Sequence, residues 1–552
     1  MQIENVTDSD SINCVLSAFG AAVERHPEQA AVTELQVGSS SQVTYRELEG
    51  LVRSAARAIE SDARGAPFVP IFMQRSILSV AVGLAALSLG KRFAYLNPRL
   101  KVPQLRSVLG SLGAPVLIAD GAALMGLRPA SLPPEALTQF SVLQLHLGAL
   151  SKAQDKQAVR LRDLCGAFSA RDLTQAGQVA PLELATAASA GCCLFTSGST
   201  GESKGVLISA PDLHQRAHHE VQAFGITRAD RLLNLLPFSF DVGLNQILAS
   251  IVAGAELVVA PSWLPGDIDR TIRDFEVTGV SGVPTIWADY LGADLTLGAG
   301  SDHHHLRYLT VSGGSLSPDK YAALRASAAG VAVIKTYGQT EAFRTTALLP
   351  AHPREKHGSV GAPFGDVRVL VVDDDLRPCQ PGVQGEVIHA GLGAMEGYLQ
   401  GPTAGKLIDL EIEAAGGTIE KAVRTGDMGH LDDDGFLYLS GRRDAMVKIH
   451  GNRVYPEEVT ARIHAMAGIL DAEVLTSPGS SQGEDVSLTA FVVGDAESTQ
   501  DPIRFRRELA ASLPAYMVPA DVRFLGELPR TATGKPDKQR LKKMITDDSL
   551  AR

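Results

Sequence analysis

Apolar runs of strand length alternate with helix-patterned segments along the chain, and this restricts the fold more than any other feature. "PVLIAD" (115–120), "CCLFTS" (192–197), "AELVVAP" (255–261) and "VAVIKTYG" (331–338) read as buried strands. Between them, "RELEGLVRSAARAIE" (46–60) and "PQLRSVLGSLG" (103–113) carry helical patterning. Strands that alternate with helices predict α/β layers with largely parallel sheets. Around 365–400 the pattern changes to short strands with Pro-Gly turns, which predicts a smaller β-rich subdomain. Farther on, "FLYLSGRRDAMVKIHGNRVYPEEVTARI" (436–463) ends one strand, turns, begins another and enters a helix. "DAEVLTS", "VSLTAFVVG" and "FRRELAASL" then read as a compact α+β module. At 552 residues the chain exceeds one ordinary core. The expected division is a large N-terminal α/β domain with several subdomains, residues 1–443, and a small α+β domain, residues 444–552.

Charge and cysteine usage narrow the function. A formal net charge of −11 argues against a nucleic-acid backbone as partner. The five cysteines (Cys14, Cys165, Cys192, Cys193 and Cys379) are scattered without a C-x-x-C pair, which fits a reducing compartment. "MQIENVTDSDS" is acidic and polar and does not read as a signal peptide. The longest apolar stretch, "SILSVAVGLAALSLG" from Ser76, is shorter than the roughly 20 residues a membrane span needs, so it reads as a buried helix. The expectation is a soluble, cytoplasmic protein with neither nucleic acid nor membrane as partner.

"LFTSGSTGESKGV" (194–206) offers glycines for close backbone approach, hydroxyl donors, and Lys204 as a point charge, a composition suited to phosphate. It is not a Walker loop, because Ser203 precedes Lys204 and Gly205 follows it. "YGQTEA" (337–342) closes a strand with a ring able to stack on a base and a carboxylate suited to Mg²⁺. In "RTGDMGHLDDDGFLYLSGRRD" (424–444), Asp427 after a glycine suits the paired hydroxyls of a ribose. The Asp432–Asp434 run before Gly435 reads as a β-turn. "LPRTATGKPDKQRL" places Lys535 in a proline-bounded loop from which it can reach across a domain interface. "DHHH" (302–305) reads as a loop, since consecutive histidines on a strand point to opposite faces.

These segments, with "GEVIHAGLGAMEGYL" (385–399) and "VTYRELE" (43–49), occur in the order and spacing of the core motifs of the adenylate-forming (ANL) superfamily. The chain resembles its stand-alone amino-acid adenylation enzymes of nonribosomal peptide and polyketide pathways over nearly its whole length. The resemblance implies ATP and Mg²⁺ as cofactors and a mobile C-terminal lid with its hinge at Asp444. It places Thr196, Ser197, Gly198, Ser199, Thr200, Gly201 and Lys204 on the ATP phosphates and Tyr337 on adenine. Asp427, with Arg442 beside it, falls to the ribose, Thr340 to the α-phosphate and Glu341 to Mg²⁺. Lys535 would bridge the substrate carboxylate and the α-phosphate. The expected acceptor is the phosphopantetheine thiol of a discrete acyl or peptidyl carrier protein, with coenzyme A as the alternative of an acyl-CoA ligase for a small polar acid.

"LLPFSFDVGLNQILASIVAGAELVV" (235–259) resembles the amino-acid-activating branch, in which the aspartate at the place of Asp241 receives the substrate ammonium. The other reading of Asp241 is a core residue capping a helix. Offsets from the motifs give the remaining pocket as Val242, Asn245, Ser281, Thr310, Ser312, Thr336, Arg344 and Thr345, an unusually polar set. Arg344 with Ser312 would suit a second carboxylate; the other reading of Arg344 is a pair with an acid of the protein outside the pocket. The expectation is therefore an acidic, aspartate-like amino acid, similar to the substrates of β-amino-acid-activating enzymes.

Overall fold

The computed structural model describes residues 14–549, except 64, 101, 127–136, 148–164, 174–189, 198–202, 298–304, 315, 317, 354–355, 357, 402, 404, 413–416, 444, 446, 450–451, 479–485, 496–500, 511–512, 514 and 532–533. The predicted alternation folds into two large sheets. One has nine strands, ordered Ala362–Pro363, Ala342–Leu348, Ala332–Gln339, Tyr308–Val311, Gly279–Gly282, Arg231–Asn234, Glu256–Val259, Ala30–Gln36 and Ser39–Thr44. Its middle is parallel, and only the outer pairings are antiparallel. The other has eight strands and is parallel except where Ser203–Ser209 pairs with its two neighbours.

The apolar stretch after Ser76 forms the helix Ile77–Ser88, buried at every position in the core shared by the two sheets. A helix apolar all round has no face to give to water, so it must lie between layers. Among the described residues no helix is long and apolar enough to cross a membrane. The β-rich segment is a five-stranded sheet that extends from Arg368 to Arg442, farther than the sequence pattern indicates. Asp432 and Gly435 close the expected turn, with Gly435 N–H donating to Asp432 O at 3.0 Å.

From Val447 onward the described chain builds a core of its own, in which Val454, Val459, Val474, Ala490 and Leu509 pack together under a three-stranded sheet. It touches the rest of the molecule at defined points. Lys320 Nζ donates to Leu470 O at 2.5 Å, and a Cβ on Gly534 would lie 3.0 Å from Thr285 Oγ1.

Candidate active site

Two paired strands flank the glycine-serine stretch. Gly191–Ser197 and Ser203–Ser209 pair antiparallel, with Thr196 opposite Lys204. Gly198, Ser199, Thr200 and Gly201 lie outside the described residues, as do the side chain of Ser197, the hinge candidate Asp444, and Asp302–His304 of the histidine run. Lys204 is exposed, its ammonium 5.4 Å from the centre of the Tyr398 ring. Tyr398 in turn donates its hydroxyl to Glu341 Oε1 at 2.8 Å, so this carboxylate is held in place. No cluster of three or more His, Cys, Asp or Glu among the described residues could hold a metal alone. One oriented carboxylate is nevertheless the donor set expected where Mg²⁺ shares its coordination with phosphate oxygens.

Tyr337, Asp427 and Arg442 form a second group. Tyr337 Oη donates to Asp427 Oδ2, and Arg442 Nη1 donates to Asp427 Oδ1 at 3.2 Å. Asp427 and Arg442 face each other across paired strands, which fixes their distance. Burial pushes the Asp427 carboxyl up, against the pull of Arg442. Each carboxylate oxygen keeps lone pairs for further donors, so two neighbouring hydroxyls fit here.

Asp241 opens the helix Asp241–Ala253. Its Oδ1 accepts from the Val242 N–H at 2.7 Å, which is the helix-end role, and its Oδ2 accepts from Thr340 Oγ1 at 3.3 Å, which is not. The second bond joins the expected ammonium acceptor directly to the "YGQTEA" motif. Burial raises the Asp241 carboxyl, while Lys535 and the buried Arg216 act to lower it. Lys535, from the C-terminal module, is exposed and within electrostatic reach of Asp241.

Below Asp241 the side chains of several predicted pocket residues join one polar chain. Ser281 and Thr310 are register neighbours on adjacent parallel strands. Thr310 Oγ1 lies 3.3 Å from Ser312 Oγ, and Ser312 Oγ 2.7 Å from Thr336 Oγ1. Thr336 Oγ1 accepts from Arg344 Nη1 at 3.0 Å. Val242 belongs to the apolar core beside them. Thr345 stays out of this chain: its hydroxyl lies 3.1 Å from His389 Nδ1 and donates to Ala342 O. Burial pushes His389 down to about 4, so the ring is neutral.

Arg344 differs from its sequence expectation. Its guanidinium is 2% exposed and pairs with the equally buried Glu220, Nε donating to Oε2 at 2.9 Å and Nη2 lying 2.8 Å away. The rings of Phe224 and Phe343 lie 5.4 and 5.1 Å from it. A cation this deep needs a counter-charge, and the fold supplies one before any substrate does. The charge expected to meet a second substrate carboxylate is therefore already matched.

A family model described as "AMP-binding enzyme" matches residues 19–399. The chain belongs to the AMP-binding enzyme family. A probable non-canonical nonribosomal peptide synthetase, CymA, of Salinispora arenicola is 30% identical over 95% of this chain. Phosphinothricin tripeptide synthetase PhsB of Streptomyces viridochromogenes is 29% identical over 97% of it. The chain spans only 6% and 42% of the length of these relatives. Among solved structures, the amide bond synthetase McbA of Marinactinospora thermotolerans superposes with a TM-score of 0.77 at 25% identity, over 96% of this chain and 99% of McbA. ATP-bound MatB of Rhodopseudomonas palustris superposes with a TM-score of 0.79 at 23% identity, over 96% and 98%.

In this AMP-binding enzyme several site neighbours escaped the sequence reading. Glu220 and Arg216 sit on the buried face of the helix Ala210–Phe224 with Leu213, Ala217 and Phe224. Charged residues at the apolar positions of an amphipathic helix were the available signal. Tyr398 lies in a quoted motif but received no role. Lys406 donates to Gln339 Oε1 at 2.7 Å and to Thr425 O at 3.0 Å, beside Glu341 and Asp427.

Proposed function

We propose that this AMP-binding enzyme adenylates an amino acid with ATP and transfers the acyl group to the phosphopantetheine thiol of a carrier protein. One observation carries the reading: Asp241 is hydrogen-bonded to Thr340 and lies in the field of Lys535. A substrate whose ammonium sits on Asp241 would turn its carboxylate toward Thr340 and Lys535.

In the proposed reaction a substrate carboxylate oxygen forms a bond to the α-phosphorus of ATP. The bond from that phosphorus to the bridging oxygen breaks, and pyrophosphate leaves. Lys535 would bridge the substrate carboxylate and the α-phosphate and stabilise the charge that accumulates there. Tyr337 and Asp427 hold the nucleoside, and the hairpin ending at Lys204 holds the phosphates. Glu341, held by Tyr398, is the residue that would bind Mg²⁺, and the bound ion supplies positive charge to the phosphates. The remaining work is positioning. Residues 1–443 would form the adenylating body and 444–552 the lid that carries Lys535.

An aspartate-like substrate is a second reading, favoured by Arg344 Nη2, which makes no well-directed hydrogen bond to a described residue beyond its ion-pair contact with Glu220. ATP–pyrophosphate exchange over a panel of amino acids and simple carboxylic acids tests the main proposal. Exchange with amino acids and transfer of label to a phosphopantetheinylated carrier protein are the expected results. Exchange with simple acids alone, or transfer to coenzyme A alone, overturns it.

A further inference from the structure

Glu220 does more than neutralise Arg344. It also accepts a hydrogen bond from Asn245 Nδ2. A carboxylate paired with a guanidinium has only acceptors to offer, so Asn245 must turn its NH₂ toward Glu220. That fixes the other end of the amide: Asn245 Oδ1 is buried and accepts no hydrogen bond from any described residue. Two further buried polar atoms of the same walls make no well-directed hydrogen bond to a described residue: Ser281 Oγ, and Arg344 Nη2, which has two N–H groups and only the ion-pair contact with Glu220. Asn245 stands one helical turn below Asp241 on the helix Asp241–Ala253. Glu220 links it to Arg344, which continues through Thr336 and Ser312 to Thr310, the register neighbour of Ser281. These groups therefore belong to one connected polar network that starts on the helix of Asp241. Buried polar groups left without partners are costly, and native sites keep them where a ligand completes them.

The set has a definite chemistry: one fixed acceptor, one fixed donor, one hydroxyl able to play either part, and no net charge. We propose that the pocket takes an amino acid whose side chain ends in a neutral carboxamide or carbamoyl group. Its N–H donates to Asn245 Oδ1, and its carbonyl oxygen accepts from Arg344 Nη2 and Ser281 Oγ. An ionised carboxylate has no proton for Asn245 Oδ1 and adds a negative charge beside Glu220. Glu220 is then a specificity-positioning residue that acts through Arg344 and Asn245. This inference rests on the amino-acid adenylation reading.

The experiment is ATP–pyrophosphate exchange with asparagine, glutamine and citrulline against aspartate, glutamate and apolar amino acids, in the parent enzyme and in E220Q and N245A. The parent should favour a carboxamide over its carboxylate isostere by about tenfold or more in kcat/KM, as sites that hydrogen-bond their substrate do. E220Q frees the charge of Arg344 and lets the Asn245 amide turn, so this ratio should fall about tenfold toward the carboxylates. N245A leaves the ion pair intact, which keeps the test open if E220Q does not fold. It should lower exchange with the carboxamide and spare the carboxylate. A parent preference for aspartate, glutamate or an apolar amino acid overturns the inference, as does a ratio that neither variant moves. Exchange with simple carboxylic acids and no amino acid would instead remove the reading beneath it.

Discussion

Asp241 shows what a buried carboxylate costs its protein. Burial raises its pKa, and the Val242 N–H, Lys535 and Arg216 recover only part of the shift. An acid with a raised folded-state pKa binds its proton more tightly folded than unfolded, so ionising it costs stability as pH rises. D241N should therefore melt at a higher temperature than the parent near pH 8, measured by calorimetry without ligands. The same substitution removes the ammonium acceptor, and exchange with the amino-acid substrate should fall about 100-fold. The proposed role also requires the ionised form. The acidic limb of kcat/KM should thus lie above the ordinary carboxylate range and be absent from the residual activity of D241N. K535A should cost exchange about 10²–10³-fold while ATP binding, followed by calorimetry, persists. Glu341, Asp427 and Lys535 stand out as candidates in the sequence because each lies in an ordered run of small and polar neighbours. Glu220 was not, since a lone glutamate in a helix is ordinarily solvated and only its packing reveals otherwise.

At the scale of elements, the turn after "TYG" decides where Thr340, Glu341 and Arg344 go. The sequence marked a strand ending near Gly338, and the strand ends at Gln339; what it did not mark is the return as Ala342–Leu348, paired antiparallel with Ala332–Gln339 through a bulge. Every residue of the return strand is buried. A strand covered on both faces shows no alternation, which is why its pattern did not announce it. Arg344 takes the left-handed conformation (φ 45°), uncommon for a residue with a side chain. Gly338 makes this reversal possible: a Cβ there would stand 2.4 Å from the Arg344 nitrogen. G338A forces backbone apart from backbone, so the protein should lose about 2–4 kcal/mol of stability. Exchange should fall more than about 100-fold, because displacements near 1 Å are costly where geometry is the catalyst. Retained exchange with an unchanged melting temperature would show that the turn has slack.

Over the whole molecule, the parallel sheets and the separate C-terminal core were legible because both rest on local periodicity. The seating of the C-terminal module on the body was not, since it depends on side chains far apart in sequence. Arg530 pairs with Asp471 and donates from Nη1 to Gly534 O, which braces the loop of Lys535 within its own module. Across the seam, Asp289 lies in the field of Arg530 and Lys320, and Lys320 reaches the Leu470 carbonyl. These contacts are polar, the kind that can be exchanged for others without unfolding either side. The present seating puts Lys535 within electrostatic reach of Asp241, as the proposed adenylating step requires. In the proposed transfer to a thiol the C-terminal module takes a different seating, with the pivot at Asp444. Proline at that position fixes φ and removes a backbone donor. D444P should therefore keep ATP–pyrophosphate exchange within about threefold of the parent, while transfer of label to a carrier protein falls about 100-fold, the size of effect that lost geometry brings. Equal losses in both half-reactions would mean that the substitution damages the fold and that 444 is no pivot. Unchanged transfer would place the moving joint elsewhere between the two cores.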